Sequence, residues 1–309
     1  MQPVYEVFQT IGSWGVLVFV ISSMLNVGLT QKPAKLVRHL HNRAFLLRML
    51  LLNFIVVPAL MISLTQILPL EPIYAAGLVI FSLAAGAPFL IKLTSVSQSD
   101  IALGATVLLV LMITSVVVLP AVLPLVLEGV TVDVWAIVEA LVVQMLLPLV
   151  AGMVLLQVAE PFVSVIQPWV ARLSNIALYV MVIAIVLGYL PSMADIELWK
   201  ALGAGMLVLL LALFLGWTMG DGHGHLMEVG GLGTAQRNTA ASLIVAQGSF
   251  EDPRVLVVIV LLNTFGVIML IAAAKLMSKD NRFDFLLPVA ADVPQRSPSM
   301  TQGESDDQP

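Results

Sequence analysis

Cysteine is absent from this 309-residue chain, which excludes a disulfide scaffold, a thiolate metal site and a cysteine nucleophile. Charged residues are also scarce, at 11% of the sequence against about 25% in an ordinary soluble domain. The sequence offers no basic face of the kind that a nucleic-acid-binding protein needs. It also lacks the Gly-x-Ser-x-Gly, His-Glu-x-x-His and phosphate-loop patterns of common enzymes. We therefore expect neither an enzyme nor a nucleic-acid partner, and no cofactor or metal site.

Apolar residues are abundant instead, at 60% of the chain with a mean hydropathy of +1.03. A transmembrane helix needs about 20 mostly apolar residues, and nine segments satisfy that requirement. They span residues 12–29, 44–66, 72–91, 101–127, 135–157, 169–190, 199–219, 228–249 and 254–277. The sequence therefore predicts an all-α multi-pass membrane protein with nine transmembrane helices, whose main solvent is membrane lipid.

The domain organisation follows from the same pattern. Residues 1–277 form one predicted transmembrane domain, whose two halves cover about 1–127 and 135–277. Residues 278–309 are polar and rich in Pro and Ser, and they have too little apolar surface to fold. We predict that they form a disordered cytoplasmic tail.

The orientation follows from the loop 30–43, which contains Lys32, Lys35, Arg38 and Arg43 but no acidic residue. Basic loops remain on the cytoplasmic side of a membrane. Nine crossings then place the N-terminus outside and the C-terminus in the cytoplasm. The expected location is a plasma membrane or a bacterial inner membrane.

Two predicted spans contain helix-breaking residues near their middles. The third has Gly86 and Pro88, and the eighth has Gly230, Gly231 and Gly233. Proline removes a backbone donor and glycine weakens a helix. Interrupted spans in matching positions of two halves indicate the binding site of a secondary transporter built from inverted repeats.

Basic and polar residues follow each interruption, most conspicuously Lys92 and Arg237. A basic side chain at the centre of a bilayer costs about 2.5–3.5 kcal/mol on insertion scales, so an anionic substrate would explain both. Three alternatives stay open: Lys92 extends to the membrane surface, Arg237 bonds only backbone carbonyls, and Asn238 caps a helix. The residues predicted to bind the substrate are Asn53, Lys92, Thr94, Gln236, Arg237, Asn238 and Thr239.

The order and spacing of several short motifs resemble the bile acid:sodium symporter superfamily over about residues 12–277. The motifs are Ser23-Met-Leu-Asn-Val-Gly-Leu29, Asn53-Phe-Ile-Val-Val-Pro58, Ala85-Gly-Ala-Pro88 and Gln236-Arg-Asn238. The resemblance implies a panel domain and a core domain, with two broken helices that cross in the core. It also implies alternating-access transport of an organic anion, often together with sodium.

The chain departs from the family at the residues that bind sodium in relatives. The resemblance assigns a Ser-Asn pair to the positions of Leu90 and Ile91, and a Glu to that of Gly233. None of these three residues has a side-chain oxygen, which a hard cation requires. Asn53 retains an amide at another such position. We therefore do not expect standard two-sodium coupling.

The predicted function is secondary active transport of a small organic anion, with sodium or a proton as candidate coupling ions. One alternative is a proton-coupled exchanger of related fold, in which Asp100 or Glu139 titrates. Another is a non-transporting membrane sensor that binds a ligand and signals through the tail. Binding of a ligand without any flux would distinguish the sensor from a transporter.

Overall fold

The computed structural model describes residues 2–32, 39–126 and 134–278. Within these residues the regular structure consists of helices. In chain order they are α1 (Gln2–Thr30), α2 (Arg43–Ile67), α3 (Pro72–Leu83), α4 (Leu90–Val96), α5 (Ile101–Val126), α6 (Val134–Val158), α7 (Glu160–Gly188), α8 (Ile196–Thr218), α9 (Gly224–Ala235), α10 (Thr239–Ser249) and α11 (Arg254–Met277). A 3₁₀ turn, Leu190–Ala194, precedes α8.

Seven of the helices are long and apolar enough to cross a membrane: α1, α2, α5, α6, α7, α8 and α11. The prediction of an all-helical, multi-pass membrane protein is therefore confirmed. The third and eighth predicted spans are each divided, into α3 with α4 and α9 with α10. A count of nine crossings requires each divided pair to cross once, and it stays a prediction. Of the predicted tail, only Ser278 lies within the described residues.

The outer surface of the helices is apolar, as a lipid environment requires. Large hydrophobic side chains on several helices are more than half exposed. Examples are Leu125, Val158, Trp169, Phe214 and Ile268. In water this amount of exposed apolar area would drive aggregation, so the exposed faces of the helices are suited to contact with lipid chains.

The first helix packs along α6 and α7 at very short range. Gly28 of α1 lies against Gly152 of α6, and a Cβ atom on Gly28 would come within 2.1 Å of the Leu149 carbonyl oxygen. Small residues at such positions let helix backbones approach closely inside a membrane. The helices α1, α6 and α7 therefore form one packed group.

Both α2 and α6 contain a short π-helical segment, Leu52–Val56 in α2 and Val142–Leu146 in α6. Proline follows each segment, at Pro58 and Pro148. The proline ring clashes with the carbonyl four residues earlier and has no N–H to offer. The wider π-helical turn relieves this clash. In α2 it also changes which backbone carbonyls accept a hydrogen bond from a backbone amide.

Candidate functional site

The first interruption lies between Leu83, the last residue of α3, and Leu90, the first residue of α4. It contains Gly86, whose φ of +78° is in the left-handed region that favours glycine. A Cβ atom at this position would also come within 2.3 Å of the Met112 amide nitrogen in α5. Both the backbone angle and the close contact therefore require glycine here.

The second interruption is located differently from its prediction. Gly230, Gly231 and Gly233 all lie inside α9, and the chain leaves the helix only at Gln236. The predicted position of the break was therefore wrong. The reason is helix packing: a Cβ atom on Gly230 would meet the Gly216 carbonyl oxygen of α8 at 2.4 Å. Close contact with α8 keeps this glycine-rich segment helical despite its low intrinsic propensity.

The two interrupted segments cross each other as a short antiparallel bridge between Ala85 and Arg237. The amide of Asn238 donates to the Ala84 carbonyl at 2.8 Å, and its side-chain amide donates to the Gly86 carbonyl at 2.9 Å. Ala85 lies two residues after the end of α3, and Arg237 lies two residues after the end of α9. The crossing thus pairs two residues that lie at the same distance from the ends of their helices.

Ser115 of α5 completes this crossing. Its hydroxyl accepts a hydrogen bond from the Ala85 amide at 2.9 Å and donates one to the Ala85 carbonyl at 2.8 Å. The sequence interpretation missed this residue. The available signal was weak: Thr114 and Ser115 are an isolated polar pair in an otherwise apolar stretch of α5.

Asn238 also begins the second half of its divided span. Its side-chain oxygen accepts a hydrogen bond from the Ala241 amide at 3.1 Å, as an N-cap residue of α10 does. The capping alternative therefore describes part of its role. Because its side-chain amide group reaches Gly86 as well, Asn238 joins the two interruptions.

Arg237 is the most deeply buried basic residue of the site, with 1% of its surface exposed. One terminal guanidinium nitrogen (Nη1) donates to the Ser82 carbonyl at 3.0 Å and to the Asn53 carbonyl at 3.3 Å. The other (Nη2) donates to the Thr234 carbonyl at 2.7 Å. The guanidinium therefore joins three segments of the chain through backbone oxygens.

Each of these three carbonyls lacks its usual helical partner for a visible reason. Ser82 and Thr234 are the next-to-last residues of α3 and α9, where carbonyls have no partner within the helix. For Asn53, the amide of Val57 bonds to Leu52 instead. The following amide position belongs to Pro58, which has no N–H.

Asn53 and Gln236, like Arg237, also place buried polar side-chain atoms at the crossing. Asn53 donates its side-chain N–H to the Met49 carbonyl at 2.8 Å and to the Thr234 hydroxyl at 3.4 Å. Within the described part of the chain, six buried side-chain polar atoms make no hydrogen bond, and three of them lie at the crossing: Asn53 Oδ1, Gln236 Oε1 and Arg237 Nε. Buried polar atoms are usually satisfied, so these three are available to a ligand or to water.

The other predicted binding residues occupy different environments. Thr94 is buried, and its hydroxyl donates to the Ile91 carbonyl at 2.8 Å. Thr239 is buried in the first turn of α10. Lys92 is exposed, with its ammonium group 6.0 Å from the centre of the Phe89 ring. This exposure favours the alternative in which Lys92 extends to the membrane surface.

The surroundings of Gly233 are apolar. A Cβ atom on Gly233 would lie 3.3 Å from Leu90 Cδ2, 3.3 Å from Val107 Cγ1 and 3.4 Å from Met49 Cε. Methyl and methylene groups do not coordinate a hard cation. The position to which the family resemblance assigns a sodium-binding carboxylate therefore lies against hydrocarbon and the thioether group of Met49.

Within the described part of the chain, neither candidate proton carrier forms a hydrogen bond or salt bridge with a residue of the crossing. Asp100 caps α5 by accepting hydrogen bonds from the amides of Ala102 and Leu103 at 2.9 and 3.0 Å, and its carboxylate lies 3.6 Å from His39. Glu139 is exposed on α6. This arrangement gives Asp100 a local structural role.

The sequence matches the model of a known protein family. A model of the sodium bile acid symporter family matches residues 17–196, which is more than half of the chain. The matched region extends from α1 to the first residue of α8 and includes the first interruption. No curated protein matches the chain significantly.

Proposed function

The chain belongs to the sodium bile acid symporter family, and on that premise we propose that it transports a small organic anion across a membrane by alternating access. The observation that carries the proposal is the crossing of two interrupted helices at Ala85 and Arg237. Interrupted helices of this kind form substrate and ion sites in secondary transporters. The pairing of equivalent positions supports an inverted repeat.

The transport domain in this proposal has nine crossings, with α3–α4 and α9–α10 counted as one each. The packed group of α1, α6 and α7 corresponds to the panel domain, and the other helices correspond to the core domain. Alternating access would then involve movement of one group against the other. The proposed orientation keeps the N-terminus outside and the C-terminus in the cytoplasm.

The proposed substrate site lies at the crossing, where Asn53, Gln236 and Arg237 each leave a buried polar atom without a hydrogen bond. Arg237 Nε is a charged donor suited to an anion, and charge-assisted hydrogen bonds are stronger than neutral ones. Thr94, Asn238 and Thr239 would complete the site. Lys92 would act at its edge, because its side chain is exposed.

The first experiment uses purified protein and a panel of small carboxylates and sulfonates. Thermal stability is measured with each anion, once in sodium and once in choline buffer. Anions that stabilise the protein are then tested for counterflow uptake into proteoliposomes. We expect uptake with little dependence on sodium. Stabilisation without any flux would favour the sensor, and uptake driven by a pH gradient would favour the proton-coupled exchanger.

A matched pair of glutamine variants tests the location of the site. Gln236→Ala removes a side chain at the crossing, whereas Gln167→Ala removes one on α7 that bonds to Asn26. We expect Gln236→Ala to weaken anion binding about two- to tenfold, which corresponds to one neutral hydrogen bond. Equal effects of the two variants would contradict the proposed site.

A further inference from the structure

The three carbonyl oxygens around Arg237 have the features of a cation site. Those of Ser82 and Thr234 are at helix C-termini, which carry partial negative charge, and that of Asn53 is left without a helical partner by Pro58. In transporters with broken helices, such carbonyls and C-terminal ends coordinate sodium. In this chain the group that they contact is the Arg237 guanidinium.

We propose that Arg237 is a tethered cation, which permanently fills a carbonyl site that would otherwise accept a mobile alkali metal ion. The inference deepens the transporter proposal, and its consequence for transport rests on that proposal. Because a side chain cannot leave with the substrate, no cation would be released from this position during a transport cycle. The anion would then move without sodium bound there.

The electrostatic environment of Arg237 supports this assignment. A buried charge is unfavourable unless it is compensated. Within the described part of the chain, no acidic side chain forms a salt bridge or hydrogen bond with Arg237. Three backbone dipoles provide the compensation, as they would for a bound metal ion.

The apolar contacts of Gly233 give a second line of support. If the protein bound sodium as the family resemblance implies, a carboxylate would stand at this position. A glycine there, next to Leu90 and Met49, leaves no negative side chain to balance an additional cation. One fixed charge at Arg237 and no carboxylate at Gly233 are mutually consistent.

The test is to remove the tethered cation and supply a free one. In Arg237→Ala, the three carbonyls lose their donor and a cavity the size of the guanidinium group forms. We expect the thermal midpoint to fall, and then to rise saturably with sodium or with guanidinium at concentrations far below denaturing ones. Choline, which is too large for the cavity, should have no effect. The wild-type midpoint should not depend on sodium relative to choline at equal ionic strength.

Arg172→Ala is the matched control, because Arg172 is an exposed arginine that lies 5.2 Å from the centre of the Trp169 ring. It removes the same charge without exposing a carbonyl cluster, and no cation should rescue it. The proposal would be overturned if no small cation raised the thermal midpoint of Arg237→Ala. It would also be overturned if sodium stabilised the wild type saturably and stabilised the variant to the same extent.

A second variant covers the case in which Arg237→Ala does not fold. Arg237→Gln retains two N–H donors for the carbonyls but no charge, and we expect it to fold and to gain the same sodium dependence. If neither variant folds in choline buffer, each is extracted from the membrane in buffer that contains guanidinium or sodium. We expect folded protein under these conditions, and failure to recover any would contradict the proposal. These measurements need no substrate, so their outcome is separate from the presence or absence of flux.

Discussion

At the scale of single residues, the role of Arg237 depends on backbone groups that other residues leave unpaired. Pro58 withholds an N–H from the Asn53 carbonyl, and the ends of α3 and α9 expose those of Ser82 and Thr234. The sequence indicated an important buried arginine and left open that it bonds backbone carbonyls. Which carbonyls it reaches depends on the tertiary crossing and could not be predicted from spacing.

The first prediction compares the two basic residues of the site. Arg237→Gln should weaken binding of the transported anion by about 1.5–3 kcal/mol, the range for a hydrogen bond to a charged group. Lys92→Gln should have a smaller effect, because Lys92 is exposed and its charge is screened. Anion affinity is measured by calorimetry in choline buffer, so that sodium cannot replace the lost charge. Unchanged affinity in both variants would mean that neither charge contacts the anion.

The second prediction concerns Gly86. Gly86→Ala should abolish transport and lower the thermal midpoint, because φ is +78° and a Cβ atom would overlap the Met112 amide. Gly248→Ala is the control: Gly248 is an exposed position in α10 with no atom near the added Cβ. There alanine should be neutral or add about 0.5–1 kcal/mol of stability. A Gly86→Ala protein with normal flux would contradict the importance of this close contact.

At the scale of helices, local propensity predicted one interruption and misplaced the other. Gly86 and Pro88 lie in the irregular segment between α3 and α4. Proline interrupts a helix through its own ring and its missing N–H, whatever packs against it. Gly230, Gly231 and Gly233 instead remain helical within α9. The first two lack side chains and therefore pack closely on α8, and Gly233 packs against Leu90, Val107 and Met49. A glycine in the sequence can therefore mark either an interruption of its helix or a close contact with another helix. Only the neighbouring helix decides which of the two occurs.

The third prediction tests the support that α5 gives to the crossing. Ser115→Ala removes both hydrogen bonds to Ala85, and unsatisfied buried groups cost about 1–3 kcal/mol. We expect a lower thermal midpoint and slower transport. Thr114→Ala is the neighbouring control, since Thr114 bonds only to the Val110 carbonyl of its own helix. Similar losses in the two variants would show that Ser115 has no special role.

The fourth prediction concerns the ion cluster that joins α3 and α11 at their N-terminal ends. Arg254 bonds to Asp252 and to Glu71. Burial alone would raise the pKa of Asp252, but hydrogen bonds and charge from Arg254 outweigh it and hold this pKa below its ordinary value. The resulting stability is complete above the unfolded pKa of about 3.9 and is lost as the pH falls through the lower folded pKa.

Thermal unfolding of the wild type and of Arg254→Gln across acid pH checks this linkage. The variant should be less stable near neutral pH, and the difference should shrink below about pH 4. Lys200→Gln, which breaks the exposed pair with Glu197, should show little difference at any pH, as expected for a surface ion pair. A stability difference between Arg254→Gln and wild type that is constant with pH would exclude Asp252 as its source.

At the scale of the whole molecule, composition and hydropathy were sufficient to predict a helical membrane protein. Long apolar segments become helices because no water is present in the bilayer to satisfy their backbone groups, so the positions of α5 and α11 agree closely with their predictions. The packing of α1 on α6 and α7 was not predicted. It depends on small residues, such as Gly28 and Gly152, that carry little signal in hydropathy.

The fifth prediction tests the nine crossings and their orientation. The chain has no cysteine, so single cysteines can be introduced without first removing native ones. Glu251 and His41 are exposed and lie in loops before α11 and α2. Because the basic loop near His41 is expected in the cytoplasm, Glu251→Cys should react with a membrane-impermeant maleimide added to intact cells, whereas His41→Cys should react only after permeabilisation. Between these two positions the predicted chain crosses the membrane seven times, an odd number, so the two sites must face opposite sides. If just one of the pairs α3–α4 and α9–α10 entered and left on one side, the number of crossings would be even and both cysteines would react from the same side.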